Sequence, residues 1–235
     1  MASGVEAKGQ SQPKNLIFVV GSTIERDGVP EDLTKIKLLE GPYNAQIIDL
    51  MDKTKVEYKT YFSNLKKDKD WLEKFRQCNF VFVICMCHGD TDGQIKSKDE
   101  IIQLKCYFLN PFFSIEQLDG KLKWLVVQSC RGSLKSDAMD ADGKSKRKYL
   151  DRFMVSYCTT EGMVSEQYNK NGKIFIQYLC EELADNANKN NYKTSLFTMM
   201  ENIIEKVRQY GIDQNISDYP VPEYIKNFYD HFFVQ

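Results

Sequence analysis

Along this chain, continuous apolar runs alternate with segments whose apolar residues recur at helical spacing. Asn15 to Gly21 (NLIFVVG) is apolar from end to end and closes on glycine, the pattern of a strand buried on both faces. Pro30 to Glu40 sets Leu33, Ile36, Lys37 and Leu39 on a helix face, with proline in the first turn and Gly41 past the end. Asn44 to Met51 (NAQIIDLM) is the next expected strand, and Asp68 to Gln77 a helix that packs through Trp71, Leu72 and Phe75. Asn79 to Cys87 (NFVFVICMC) is the most apolar stretch and predicts a central strand. Lys123 to Ser129 and Phe153 to Thr159 predict two more. Lys173 to Asn186 places Phe175, Leu179 and Leu183 at helical spacing. Tyr192 to Tyr210 is the clearest helix, with Leu196, Met199, Met200, Ile203, Ile204 and Val207 in one stripe and Gly211 as its expected cap. The whole stripe, methionines included, reads as core.

Strands separated by helices predict an α/β fold, a mainly parallel sheet covered on both faces. Polar residues break the rhythm in two places. Residues 1–14 form a short polar arm, expected to be mobile and lacking the apolar core of an export signal. Ser133 to Leu150 (SLKSDAMDADGKSKRKYL) is rich in small and charged residues and reads as an exposed linker that proteases nick. Its Lys144, Lys146, Arg147 and Lys148 fit a solvated loop better than a nucleic-acid patch.

Composition narrows the function classes. The 235 residues are 42% hydrophobic, enough for a substantial core, and 28% charged. A net charge of −1 argues against nonspecific nucleic-acid binding and against attachment to an anionic membrane. No apolar run approaches the roughly 20 residues of a membrane span. Seven cysteines, an odd number without an export signal, predict reduced thiols and a cytoplasmic location. Only two histidines occur, His88 and His231, so any imidazole chemistry has few candidates.

In open parallel sheets, ligands sit beyond the carboxyl ends of the strands. Asn79 to Cys87 runs straight into His88-Gly89, and Lys123 to Ser129 straight into Cys130-Arg131-Gly132. Cys130 follows His88 by 42 residues, room for one crossover between neighbouring strands. That neighbourhood would put a thiol beside an imidazole, and the thiolate such a pair favours is a nucleophile. Two other readings stay open from these residues alone. Strand-end cysteines are often small buried hydrophobes. Cys85, Cys87 and His88 also cluster, although zinc sites space two cysteine ligands by two to four residues and no second ligand pair occurs.

The neighbours of these residues carry a resemblance. Gln128-Ser129-Cys130-Arg131-Gly132, after Lys123-Trp124-Leu125-Val126-Val127, resembles the caspase signature around the catalytic cysteine. Cys87-His88-Gly89-Asp90 resembles the family's histidine segment. Asp151 to Gly162 (DRFMVSYCTTEG) is similar to the start of the caspase small subunit, and Phe175 to Leu183 matches the helix that follows. The likeness runs from about Asn15 to Gln235. It implies a six-stranded, mostly parallel sheet with helices on both faces, and a cysteine peptidase acting in apoptosis that cuts after aspartate. Residues 15–132 would be large-subunit-like, 133–150 the inter-subunit linker and 151–235 small-subunit-like, with 15–235 one catalytic domain. Cys130 would attack the scissile carbonyl, His88 would handle the proton, and the N–H groups of Gly89 and Cys130 would form the oxyanion hole. No cofactor or metal is implied. The partners implied are a protein or peptide substrate and a second caspase chain in a homodimer or heterodimer. A zymogen of this type is cut in the linker, here after Asp140, with Asp137 and Asp142 as alternatives. The short arm resembles that of an effector caspase.

The pattern breaks at the pocket for the substrate aspartate. Gln128 is retained, and Arg26 matches the first of the family's two pocket arginines. The second belongs to a Gly-x-x-Ser-Trp-Arg segment, which here reads Gly162-Met163-Val164-Ser165-Glu166-Gln167. Ser165 keeps its place as a substrate-binding residue, Gln167 stands where the arginine would, and Glu166 replaces the aromatic wall. A charge-assisted hydrogen bond contributes roughly 1.5–3 kcal/mol, and a lost buried charge partner costs about 3–5. At about 1.4 kcal/mol per factor of ten, cleavage after aspartate is expected to fall by roughly two to four orders of magnitude. Two functions therefore stay open: a peptidase with weakened or altered preference at that position, and a decoy that binds and modulates an active caspase.

Overall fold

The computed structural model describes residues 14–24, 26–89, 93–130, 152–160, 172–189, 191–217, 219–228 and 234. The expected linker 133–150 and nearly all of the arm 1–14 lie outside them. In chain order the elements are β1 (Asn15–Gly21), α1 (Val29–Lys37), β2 (Ala45–Met51), α2 (Lys55–Leu65), α3 (Lys69–Gln77) and β3 (Phe80–Met86). A two-stranded ribbon of β4 (Gln94–Lys96) and β5 (Ile101–Gln103) follows, then α4 (Leu104–Phe108), α5 (Asn110–Phe113) and β6 (Leu122–Gln128). The last elements are β7 (Arg152–Tyr157), α6 (Ile174–Asn188), α7 (Leu196–Asp213) and β8 (Glu223–Lys226).

Six strands form one sheet in the order β2-β1-β3-β6-β7-β8. The first five run parallel and β8 is antiparallel to β7. Strand alternation divides the core in two. Ile17, Val19, Phe82, Ile84 and Trp124 face Ile36, Leu179 and Met199 from α1, α6 and α7. Phe18, Val20, Val81, Val83 and Val127 face Phe62, Phe75, Phe108 and Phe112 from α2 to α5. β3 and β6 are buried along their whole length, as continuous apolar runs require when helices cover both faces. The Trp124 indole N–H donates to Ser156 Oγ at 2.8 Å, so the largest buried side chain leaves no polar atom unmet.

Three features depart from the pattern reading. α2 was not expected, yet Tyr58, Phe62 and Leu65 recur at helical spacing and are its buried face. A capping box starts it: Glu57 N–H donates to Thr54 Oγ1 at 3.2 Å, and Thr54 N–H to Glu57 Oε2 at 2.8 Å. Gly211 does not cap α7 but lies buried within it. A Cβ there would sit 2.5 Å from Tyr219 Cβ, so the glycine makes room for the returning chain. β8 supplies the sixth strand, hidden in the sequence because Pro220 and Pro222 precede only four residues of pairing.

Two residues set the geometry near the carboxyl ends of the strands. Gly21, at φ 136°, ends β1 so close to β3 that a Cβ would lie 1.8 Å from the Met86 carbonyl oxygen. Asp32 of α1 is 0% exposed, and its Oδ1 accepts from the Lys173 N–H at 2.7 Å, just before α6. Burial pushes its carboxyl up to about 7, against the hydrogen bond and charge of Lys173 and the charge of Arg26.

Gly21→Ala should cost about 2–4 kcal/mol from strain and overlap, read as a lower urea midpoint at unchanged m-value. Asp32 keeps its proton in the folded state over a pH range where the unfolded chain, at its ordinary value of 3.8, has released it. Its contribution to stability is therefore lost as pH rises from about 4 to about 7. Asp32→Asn should flatten that slope by up to about 1.4 kcal/mol per pH unit, measured by urea unfolding at a series of pH values.

Candidate active site

β3 and β6 are adjacent parallel strands in register, with Cys85 opposite Val127 and Met86 opposite Gln128. Parallel neighbours release their chains at the same end of the sheet and at the same level. Hydrogen bonding continues past the strand ends: Cys87 N–H donates to Gln128 O at 3.3 Å, Ser22 N–H to Met86 O at 3.0 Å, and Cys158 N–H to Val127 O at 2.9 Å. The Cys158 thiol also donates to Ser129 O at 3.3 Å, tying the segment before Cys130 to the end of β7.

His88 lies two residues beyond Met86, and Cys130 two beyond Gln128. Met86 packs in the core layer of α1, α6 and α7, and Gln128 lines a small cavity with Phe175 of that same layer. Both residues thus stand just past the ends of adjacent strands, on segments that leave the sheet side by side. His88 is exposed, Cys130 half-buried. The ribbon steadies the histidine segment, since Gly89 bridges to Ile95 and Lys96 N–H donates to His88 O at 2.9 Å.

Gly89 sits directly against the cysteine. A Cβ at this position would lie 2.2 Å from Cys130 O and 2.8 Å from Ser129 Oγ, so only glycine fits. Close approach is thus the reason for glycine here; its φ is outside the left-handed region, and unusual backbone angles play no part.

Arg26, from the loop after β1, reaches the same place. Its Nη1 donates to Gln128 O at 3.2 Å, joining two expected pocket residues 102 positions apart in the chain. The loop is braced by Asp52, which accepts from Thr23 N–H at 2.8 Å, Thr23 Oγ1 at 2.7 Å and Ser22 Oγ at 3.2 Å. Ser165, Glu166, Gln167 and the cleavage candidates Asp137, Asp140 and Asp142 lie outside the described residues, as does His231.

Other thiols belong to the interior. Cys85 and Cys87 point into the α2 to α5 core layer with their sulfurs 3.3 Å apart, and burial pushes the Cys85 thiol up. A thiol held protonated in the core is a poor metal ligand. Among the described residues no three His, Cys, Asp or Glu side chains are grouped to hold a metal ion. No helix among them is long and apolar enough to cross a membrane.

Two charged residues beside this site escaped the sequence reading. Asp32 and Lys173 are both buried, 0% and 7% exposed, next to the Arg26 loop. An acid within an amphipathic helix and a lysine ahead of one read locally as solvated surface, and nothing in their neighbours marks the burial.

The family model described as caspase domain matches residues 15–227. Caspase-3 of Oryctolagus cuniculus is 27% identical over 172 residues, 69% of this chain and 59% of its own length. Caspase-3 of Bos taurus is 28% identical over 151 residues, 59% of this chain and 51% of its own. Caspase drICE of Drosophila melanogaster is 29% identical over 123 residues, 46% of this chain and 35% of its own. The matches thus span between about a third and three fifths of these relatives. The crystal structure of caspase-1 from Spodoptera frugiperda superposes with a TM-score of 0.67 at 18% identity, covering 91% of this chain and 86% of that one. At that identity the superposition speaks for the fold, and with the family match over most of its length the chain belongs to the caspase family.

Proposed function

We propose that this chain is a cysteine endopeptidase of apoptosis with a weakened preference for aspartate at the residue before the cut. The observation that carries the reading is Gly89 pressed against Ser129 and Cys130 at the shared ends of β3 and β6. In this reading the Cys130 thiolate attacks the scissile carbonyl, and the N–H groups of Gly89 and Cys130 hold the developing oxyanion. His88 protonates the departing amine, leaving a thioester on Cys130. A water that gives its proton to His88 then hydrolyses the thioester, releasing the acid product and restoring the thiol. Arg26, Gln128, Ser165 and Gln167 receive the substrate residue, and cutting after Asp140, or after Asp137 or Asp142, matures the chain in the cytoplasm.

A second reading is a regulatory homologue that pairs with an active caspase. It is favoured by Glu166 and Gln167 at the pocket positions and by β8, which ends the sheet with Ile225 42% exposed. An edge strand offers its backbone to a second sheet, in a homodimer or a heterodimer.

Turnover measured across peptides varied at the residue before the cut should be abolished by Cys130→Ala and lowered about 10²–10⁴-fold by His88→Ala. Silence of the unmodified chain across the whole set, together with its co-purification with an active caspase, would replace the peptidase by the regulator. Gln167→Arg combined with Glu166→Trp should raise kcat/KM for the aspartate peptide by about 10-fold or more. An unchanged value would remove the pocket argument.

A further inference from the structure

The Arg26 loop and the segment before α6 meet at two glycines: a Cβ on Gly28 would lie 3.0 Å from the Gly172 Cα. This contact brings Lys173 beside Arg26, although 147 positions separate them in the chain. Lys173 is 7% exposed and lines a small cavity together with Gln128, Cys158 and Tyr219. Its backbone N–H is taken by Asp32, but among the described residues its ammonium has no hydrogen-bond or ion-pair partner. Arg26 is in a similar position. Among the described residues its guanidinium makes one hydrogen bond, to the Gln128 carbonyl, and no carboxylate pairs with it.

Half-buried Arg26, on the Gln128 carbonyl, and buried Lys173, in the cavity that Gln128 lines, repel each other, and burial followed by the Arg26 charge brings Lys173 down to about 8. The groups that act on it in return are Asp32, Cys158 and Cys130. Asp32 is itself partly neutralised by burial, and its Oδ2 has no partner among the described residues. The pair is therefore left with surplus positive charge beside Gln128 and Cys130, and a carboxylate from outside would relieve it.

We infer that Lys173 is a specificity-determining residue: with Arg26 it accepts the side-chain carboxylate of an acidic substrate residue, in place of the fork that Gln167 cannot supply. The inference rests on the peptide-binding reading of this cleft and names the substrate class for it. An ammonium is a point charge without the planar fork of a guanidinium. It therefore keeps the demand for negative charge while relaxing the geometry, so that glutamate is accepted beside aspartate and both are bound ahead of asparagine.

Peptides ending in Asp, Glu or Asn at the position before the cut, titrated calorimetrically into the Cys130→Ala protein, test this without any turnover. Binding of the Asp and Glu peptides should exceed that of the Asn peptide by about 10-fold or more at neutral pH. Lys173→Met should bring the three together, and Lys173→Arg should keep the acidic preference. In the protein with Lys173 intact the preference should shrink at about pH 9, where the lysine loses its charge, and in Lys173→Arg it should not. The pH arm serves where Lys173→Met does not fold. An acidic preference that survives Lys173→Met, or no acidic preference at all, overturns the inference. Turnover in the Cys130-intact protein judges the peptidase reading separately.

Discussion

The pairing of β3 with β6 is the constraint from which the cleft follows. Two parallel strands in register deliver their chains to one rim, and here those chains carry His88-Gly89 and Ser129-Cys130. A slip of one residue would send one of them to the opposite face, because side chains alternate with a period of two. Burial on both faces prevents that slip. Phe82 and Ile84 must meet the α1, α6 and α7 layer while Val81, Val83 and Cys85 meet the other, and a shift of one residue satisfies neither. Gly89 adds a local lock, since Cys130 O and Ser129 occupy the space that a side chain there would need.

This dependence explains which parts were legible in the sequence. Four strands announced themselves as long apolar runs, because a strand buried on both faces has no polar side to blur the signal, while half-buried β2 was read from a shorter run. β8 lacks that signal: it is short, lies at the sheet edge and follows two prolines. The face of α2 was present in Tyr58, Phe62 and Leu65, yet polar residues between them dilute the pattern. Gly211 shows the limit of a local rule, for its glycine answers to Tyr219 and not to a helix end. The placement of His88 and Cys130 just past adjacent strand ends was legible from topology, whereas their roles were implied by the resemblance. Asp32 and Lys173 were not legible, because their burial depends on a meeting of α1 and α6 across 141 positions.

Polar groups buried around the cleft are costly unless something holds them together. Arg26 to Gln128 O and Asp32 to Lys173 N–H each span more than 100 positions of chain. Each satisfies a buried group that no local partner could reach, so loosening one of these contacts strands a charge or a dipole in the interior. They therefore specify position more than they add to stability. The hydrophobic layers choose the sheet; these polar ties choose where its rim loops stand.

The sheet also joins the parts of the chain on either side of residues 131–151. β6 and β7 lie on either side of that stretch, pair along six positions and share both core layers. Hydrophobic burial of that kind does not need a covalent link between the strands once they are packed. The rim draws on both sides: His88, Gly89, Cys130 and Arg26 come from before the stretch, while Cys158 and Lys173 come from after it. The register of the strand ends is fixed by backbone pairing and by the two core layers. Residues from both sides of the stretch are thus brought to one rim by the strands that carry them.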